Sequence, residues 1–364
     1  MDRVRVAIIG PGGFAQVCHI PGLRSHSKAE VSAVCGRDAA RSAAFARSQN
    51  IPASFHNIAD LLDAEICDAI AIATPDSSHF DMAMAAIARG KHVFCEKPLA
   101  MNAQQSAAMA KAASAAGVVN MVAFTFRYMQ ALQEMKRLIF AGLIGKPYHI
   151  NMQVYWGDLL APESLSWREQ ASYSAAGIWG DAGAHLFDAV SYLFAPVQEV
   201  FAQLDLVQRE AGCLQPDTSD LANCLAKTQC LFEDEQAKIS VMMQASRVSK
   251  PRGPVHELQV LGSKGALGMP LTRGNNEYLA LLATGSERWE DFPLAPEAYS
   301  DEPRALFSMM RAFVDAIASG TMRKGLDASF IDGHNAQLAL EAGIESTRSG
   351  KSKKIAYDLS LCPA

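Results

Sequence analysis

Three groups of residues in this sequence have types and spacings that can do chemistry. Glu96-Lys97-Pro98 follows the apolar run 92–95, so Lys97 stands just past the carboxyl end of a buried strand, the edge where open α/β sheets bind ligands. Pro98 lacks a backbone donor and restrains the residue before it to extended geometry, which helps fix where the Lys97 ammonium points. Taken alone, a lysine beside a turn is as readily a solvated surface charge. Farther along, Asp181 and His185 lie four residues apart, and Asp188 and Tyr192 continue the same helix face. Ala182, Leu186, Ala189, Val190 and Leu193 form the opposite, apolar face. A histidine titrating near neutrality suits removal of a proton from an alcohol. Such a polar stripe is commonly just the wet side of a helix; here Gly177, Gly180 and Gly183 lead up to it and would let a ligand come close to the helix start.

The third group is Gly10-Pro11-Gly12-Gly13-Phe14-Ala15, directly after the first strand and before a helical stretch. It fits the G-x-G-x-x-G/A pattern: Gly10 permits the tight turn, Gly12 lets the backbone approach a pyrophosphate, and the small Ala15 lets helix and strand pack closely. The helix N-terminus offers free N–H groups and the positive end of its dipole to the phosphates. At the end of the second strand a carboxylate usually binds the ribose 2′-hydroxyl and repels a 2′-phosphate. Here that slot holds Gly36, followed by Arg37, which can pair with a phosphate or stack on adenine. The expectation is therefore NADP, with NAD the alternative and Arg37 then a solvated residue beside Asp38.

The elements that must position these groups are legible in the first third of the chain. Runs 4–9, 31–35, 69–73, 92–95 and 118–124 read as strands apolar on both faces, and 80–89 and 103–116 as helices. Asn102 caps the start of the latter and Gly117 its end. Strand–helix alternation of this kind implies a parallel sheet covered by helices on both sides. Past residue 124 the pattern changes. A helix over 130–141 precedes strand-like runs at 148–155, 198–206, 220–232, 238–245 and 256–261, with helices over 181–194, 305–319 and 331–347. The fold class is thus α/β: a doubly wound Rossmann domain over 1–124 and, over 125–364, an α+β domain with a large, mainly antiparallel sheet.

Composition narrows the function classes. A net charge of −5 gives no footprint for nucleic acid or an anionic membrane, and no apolar run reaches the length that spans a bilayer. The chain enters a strand at once, without an apolar signal core, and its eight cysteines have no paired spacing. A cytoplasmic protein with reduced, buried thiols is expected. Histidines and carboxylates do not fall into metal-ligand spacing, so no metal is expected.

Asp68 to Thr74-Pro75-Asp76-Ser-Ser-His79, then Val93-Phe94-Cys95-Glu96-Lys97-Pro98, resemble the glucose–fructose oxidoreductase / inositol dehydrogenase (Gfo/Idh/MocA) family. The match continues through Phe126-Arg127-Tyr128, Gly142-Leu-Ile-Gly145-Lys-Pro and Gly180-Asp181-x-Gly183-x-His185-x-x-Asp188, spanning essentially the whole chain. The resemblance implies an NAD(P)-dependent oxidoreductase acting on a secondary alcohol or carbonyl of a sugar, polyol or related small molecule. It implies Lys97, Asp181 and His185 as catalytic residues, with Lys97 beside the nicotinamide. It also implies that Thr74, Pro75, His79 and Glu96 join Gly10, Gly12, Gly13, Phe14, Ala15, Gly36 and Arg37 in cofactor binding. Trp167-Arg168 is similar to a pair that reaches the cofactor in some members, though a loop tryptophan is as often a packing anchor. Arg127 and Tyr128 fit either the family's hinge strand or plain packing. Two alternatives share the fold: a glycoside-cleaving enzyme that oxidises its sugar transiently, and a non-catalytic nucleotide sensor. Too few helices follow residue 145 to cover both faces of a large sheet, which predicts a homo-oligomer, dimer or tetramer, built through that sheet.

Overall fold

Strand β1 (Val4–Ile9) buries Val4 and Val6 through Ile9, on both faces of its pleat, as the middle strand of a parallel sheet covered by helices must. The structure, a computed structural model, describes residues 3–157, 172–206, 219–232, 235–249, 256–271, 278–294 and 304–358. They group into two compact units: one takes in 3–124 and 305–334, the other the described residues of 125–304 and 335–358.

In the first unit β1 is joined by β2 (Ala29–Cys35), β3 (Ala53–Phe55), β4 (Ala69–Ile72), β5 (His92–Cys95) and β6 (Asn120–Val122). Among the described residues they form a six-stranded sheet in the order β3-β2-β1-β4-β5-β6, parallel throughout. The order reverses at β1, and the carboxyl ends of β1 and β4 therefore border the crevice where such sheets take ligands. Between strands run α1 (Ile20–Arg24), entered through a wide π turn at Ala15–His19, then α2 (Ala39–Ser48), α3 (Ile58–Asp63), α4 (His79–Ile87) and α5 (Ala103–Ala116). The capping chemistry of α5 is explicit. Asn102 Oδ1 accepts from the Gln105 N–H at 2.9 Å, Gln105 Oε1 accepts from the Met101 N–H at 3.2 Å, and Gly117 closes the helix at φ +62°.

The second unit begins with a turn at Thr125–Tyr128 and α6 (Gln130–Phe140), followed by β7 (Pro147–Tyr155), α7 (Ala184–Leu193) and β8 (Glu199–Asp205). Then come β9 (Leu221–Phe232), β10 (Glu235–Ser246), β11 (His256–Gly262), β12 (Gly265–Pro270), β13 (Leu279–Ala283) and β14 (Glu290–Phe292). With β15 (Lys353–Lys354), the described strands make a nine-stranded sheet ordered β14-β13-β12-β11-β7-β10-β9-β8-β15. All pairings are antiparallel except β7 with β10. Burial alternates along β9 and β10, so one face of the sheet is core and the other is open. On the open face the register aligns Phe201, Leu225, Met242, Asn151 and Gln259 as neighbours across five strands. The first three of these side chains are exposed by 42%, 52% and 48%, so the row carries an unburied apolar segment.

The passage 305–334 belongs to the first unit, where a single division at residue 124 would have put it in the second. Its chemistry explains the grouping. In α8 (Arg304–Ser319) Met309, Met310, Phe313 and Val314 are fully buried, and the Phe313 ring meets Phe94 of β5 at 5.6 Å. A Cβ at Gly22 would sit 2.8 Å from Met310, so α1 and α8 touch at a glycine. The Val122 N–H then donates to the Ala328 carbonyl at 2.9 Å and the Phe330 N–H to Asn120 Oδ1 at 2.8 Å, which covers the free edge of β6. Helix α9 (Phe330–Ser349) follows directly. Among the described residues no helix is long and apolar enough to cross a membrane.

Candidate active site

The glycine loop starts where the Gly10 N–H donates to the Cys35 carbonyl at 2.8 Å, tying the end of β1 to the end of β2. Gly10 has φ +105°, and a Cβ there would lie 2.5 Å from the Ala73 carbonyl oxygen; only glycine fits. At Gly12 and Gly13 a Cβ would meet nothing within 4 Å, so open space lies over the loop where a ligand backbone could rest. Ala15 is wholly buried at the helix start and Phe14 is half-buried with its ring edge against His19. A bare loop at a helix N-terminus suits a pyrophosphate, and these residues fit a dinucleotide. Gly36 and Arg37 follow β2 directly, Gly36 crowded by Pro11 and Arg37 exposed. Arg41, in the first turn of α2, points a guanidinium N–H at the Pro11 carbonyl at 3.3 Å, a neighbour of the loop that spacing alone did not single out.

Thr74-Pro75 and Glu96-Lys97 follow β4 and β5, so with Gly10 they share the carboxyl edge of three adjacent strands. The Glu96 N–H donates to the Ile72 carbonyl at 3.0 Å and fixes the start of the second motif against the first. Lys97 is half-buried and its peptide to Pro98 is cis. His79 is entirely buried, its Nδ1 2.9 Å from the Pro98 carbonyl and its Nε2 3.0 Å from the Thr74 carbonyl. With both ring nitrogens on backbone oxygens, His79 braces the Thr74 and Pro98 loops together. His19, given no role by sequence reasoning, is also fully buried, and its Nε2–H donates to Glu96 Oε1 at 2.8 Å. Nothing in the spacing of His19 and Glu96, 77 residues apart, could have found this pair.

In the second unit Asp181 sits within a π turn, Trp179–Gly183, that leads straight into α7. Wide turns of this kind recur at functional sites because they displace side chains from the regular helical spiral. His185 is 2% exposed and stacks on Phe126, ring centroids 4.8 Å apart. The stripe continuing from it is buried, not wet. Asp188 and Tyr192 are 1% and 8% exposed, and Arg127 grips the Asp188 carboxylate through Nε at 3.0 Å and Nη2 at 2.6 Å. Removing one partner of such a pair leaves an uncompensated charge and costs about 3–5 kcal/mol. The Lys136 ammonium lies 4.0 Å over the Tyr192 ring, and burial, helped by the Arg127 charge, lowers its pKa. The approach glycines are also constrained by packing. A Cβ at Gly177 would strike the Ser219 backbone at 2.5 Å and at Gly180 the Ala175 carbonyl, while at Gly183 it would sit tightly against Leu340 at 3.1 Å and the Trp179 ring at 3.3 Å. Trp179 is itself pinned by its indole N–H donating to the Leu340 carbonyl at 2.8 Å. Trp167 and Arg168 lie outside the described residues.

One unit carries a parallel six-stranded sheet with a glycine loop at its reversal point, the arrangement of a Rossmann nucleotide-binding fold, and the other a large, mainly antiparallel sheet. Residues 4–124 match the oxidoreductase family with an NAD-binding Rossmann fold, and 132–268 match the GFO/IDH/MocA C-terminal domain. The chain belongs to the GFO/IDH/MocA family of oxidoreductases and is a nicotinamide-dependent dehydrogenase or reductase. It is 30% identical to D-apiose dehydrogenase of Paraburkholderia graminis over 73% of this chain and 68% of that one. It is 25% identical to glucose-6-phosphate 3-dehydrogenase of Bacillus subtilis over 96% of this chain and 98% of the relative. The solved levoglucosan dehydrogenase in complex with NADH and L-sorbose superposes with a TM-score of 0.85 at 25% identity, covering 98% of this chain and all of that one.

Proposed function

We propose that the protein interconverts a secondary alcohol and a carbonyl on a sugar or polyol, with Lys97, Asp181 and His185 as its catalytic residues. The observation that carries the reading is that Lys97, Thr74-Pro75 and Gly10 follow three adjacent parallel strands and so share one sheet edge, the edge at which such sheets hold nucleotides. Relatives named for dehydrogenation of apiose, glucose 6-phosphate and levoglucosan supply the substrate class. The nicotinamide, when bound, gives or takes the hydride. His185 exchanges the hydroxyl proton, held in place by its stacking on Phe126. Lys97 and Asp181 hold and polarise the substrate oxygen. His19 holds the Glu96 carboxylate and His79 the Pro98 carbonyl, on either side of Lys97 in the chain.

The preferred cofactor in this reading is NADP. Gly36 offers no carboxylate for a 2′-hydroxyl, while Arg37 and Arg41 stand beside the loop with charge for a 2′-phosphate. The protein also pairs with copies of itself through the open sheet face, whose Phe201, Leu225 and Met242 row is the kind of exposed apolar surface that self-association covers. A panel of sugars and polyols, followed at the absorbance of the reduced nicotinamide with NAD and NADP in turn, tests the reading. Turnover of at least one polyol, faster with NADP, is expected. Cofactor binding without turnover across the panel would reduce the protein to a nucleotide sensor.

A further inference from the structure

The geometry points to Pro11 as a determinant of cofactor choice, acting by occupying the space that a side chain at position 36 would need. This inference rests on the proposed preference for NADP and concerns how it is enforced. A Cβ at Gly36 would lie 2.5 Å from Pro11 Cδ, 2.7 Å from Pro11 Cγ and 2.9 Å from Ser42 Oγ. A Cβ atom essentially never approaches a non-bonded heavy atom closer than 3.0 Å, and a pyrrolidine ring cannot swing aside as the end of a long side chain can. Gly36 is absent from the positive-φ glycines, so its backbone does not demand glycine. The neighbouring ring does.

The surroundings hold that contact in register. The Gly10 N–H on the Cys35 carbonyl at 2.8 Å sets the loop against the end of β2, and the Gly36 N–H on the Phe55 carbonyl at 3.1 Å anchors the other partner. Arg41 reaches the Pro11 carbonyl, and the Ser42 hydroxyl donates to the Asp38 carbonyl at 2.8 Å, so neither flank is free to retreat. Position 36 is where a dinucleotide fold places the carboxylate that binds a ribose 2′-hydroxyl and repels a 2′-phosphate. Pro11 thus excludes that carboxylate sterically, so a carboxylate at position 36 requires a change at position 11 as well.

The test is a cycle of four proteins: wild type, P11A, G36D and P11A/G36D, each melted without cofactor and titrated with NADH and NADPH. G36D is expected to lower the melting temperature by at least about 3 °C, as overpacking does in a protein of this size. In the P11A background the same substitution is expected to cost less than half of that shift. The double variant is expected to bind NADH at least about tenfold more tightly than G36D alone, the range of one charge-assisted hydrogen bond. An equal melting shift in both backgrounds, or a full gain of NADH affinity from G36D by itself, overturns the inference. Should G36D not fold, G36A, which adds only the clashing Cβ, carries the same melting cycle. Wild-type preference for NADH would sink the NADP reading while leaving the melting cycle to judge the steric coupling separately.

Discussion

The imidazole of His19 is fully buried between Phe14 and Phe94, and its Nε2–H donates to Glu96 Oε1 at 2.8 Å. The contact ties the helix that begins at the glycine loop to the residue before Lys97. The other ring nitrogen, Nδ1, has no hydrogen-bond partner among the described residues, so the ring is held by one polar contact and two aromatic edges.

His19→Ala should therefore displace Glu96 and, with it, Lys97. We expect kcat to fall about tenfold, less than the ~10²-fold that a misplacement of about 1 Å can cost, while cofactor affinity changes less. His19→Gln, which keeps an N–H donor, should recover part of the loss. Steady-state kinetics with cofactor titration checks both; unchanged kcat in His19→Ala would show that the pair only fills space.

Asp68, just before β4, takes three hydrogen bonds from Arg5 of β1: backbone N–H at 2.9 Å, Nη2 at 2.6 Å and Nε at 3.2 Å. Burial pushes its carboxyl up, but the Arg5 side chain and backbone N–H together outweigh that and leave the pKa lowered. A carboxylate with a depressed folded pKa stabilises fully above its unfolded value, near ~3.9, and loses that contribution as pH falls through the folded value. Asp68→Asn should thus cost about 1–2 kcal/mol at pH 7, partly screened because Arg5 is 41% exposed. The gap to wild type should narrow below about pH 4. Thermal melts from pH 7 to 3 read the difference directly, and a gap that stays constant would assign it to shape instead of charge.

Leu225→Glu and Met242→Glu together place charge in the middle of the open sheet row. Light scattering on wild type should give an oligomer at micromolar concentration and on the double variant a smaller species, with far-ultraviolet circular dichroism unchanged because both side chains are exposed. A wild-type monomer would remove the proposal. An oligomer that survives the charges would move its interface elsewhere.

Much of the first unit was legible because its signals are local. Asn102 and Gly117 delimit α5 at both ends as expected, and β1 and β5 fall where their apolar runs do. Strands of low apolar content were not legible: β3 is three residues of which none is buried, and β12 carries two glycines in six positions. The passage 305–334 looked like a second-domain helix because amphipathicity states that a face is buried but not against what; Phe313 finding Phe94 is a tertiary fact. The same limit governed the site. Gly10, Lys97 and the Asp181–His185 spacing announce themselves along the chain, whereas His19 on Glu96 and Pro11 against Gly36 exist only once β1, β2 and β5 lie side by side. The glycines before α7 suggest room for a ligand along the sequence; in the fold a Cβ at Gly177 or Gly180 would also collide with the protein's own backbone.

Turnover of Lys97→Ala and His185→Ala, on a substrate identified for the wild type and with cofactor affinity measured in parallel, tests the central claim most directly. Each variant should lose at least ~10²-fold in kcat, the lower range for removing a positioned acid–base group, while still binding the nicotinamide cofactor. Activity within a few-fold of wild type in either variant would take that residue out of the chemistry and contradict the account.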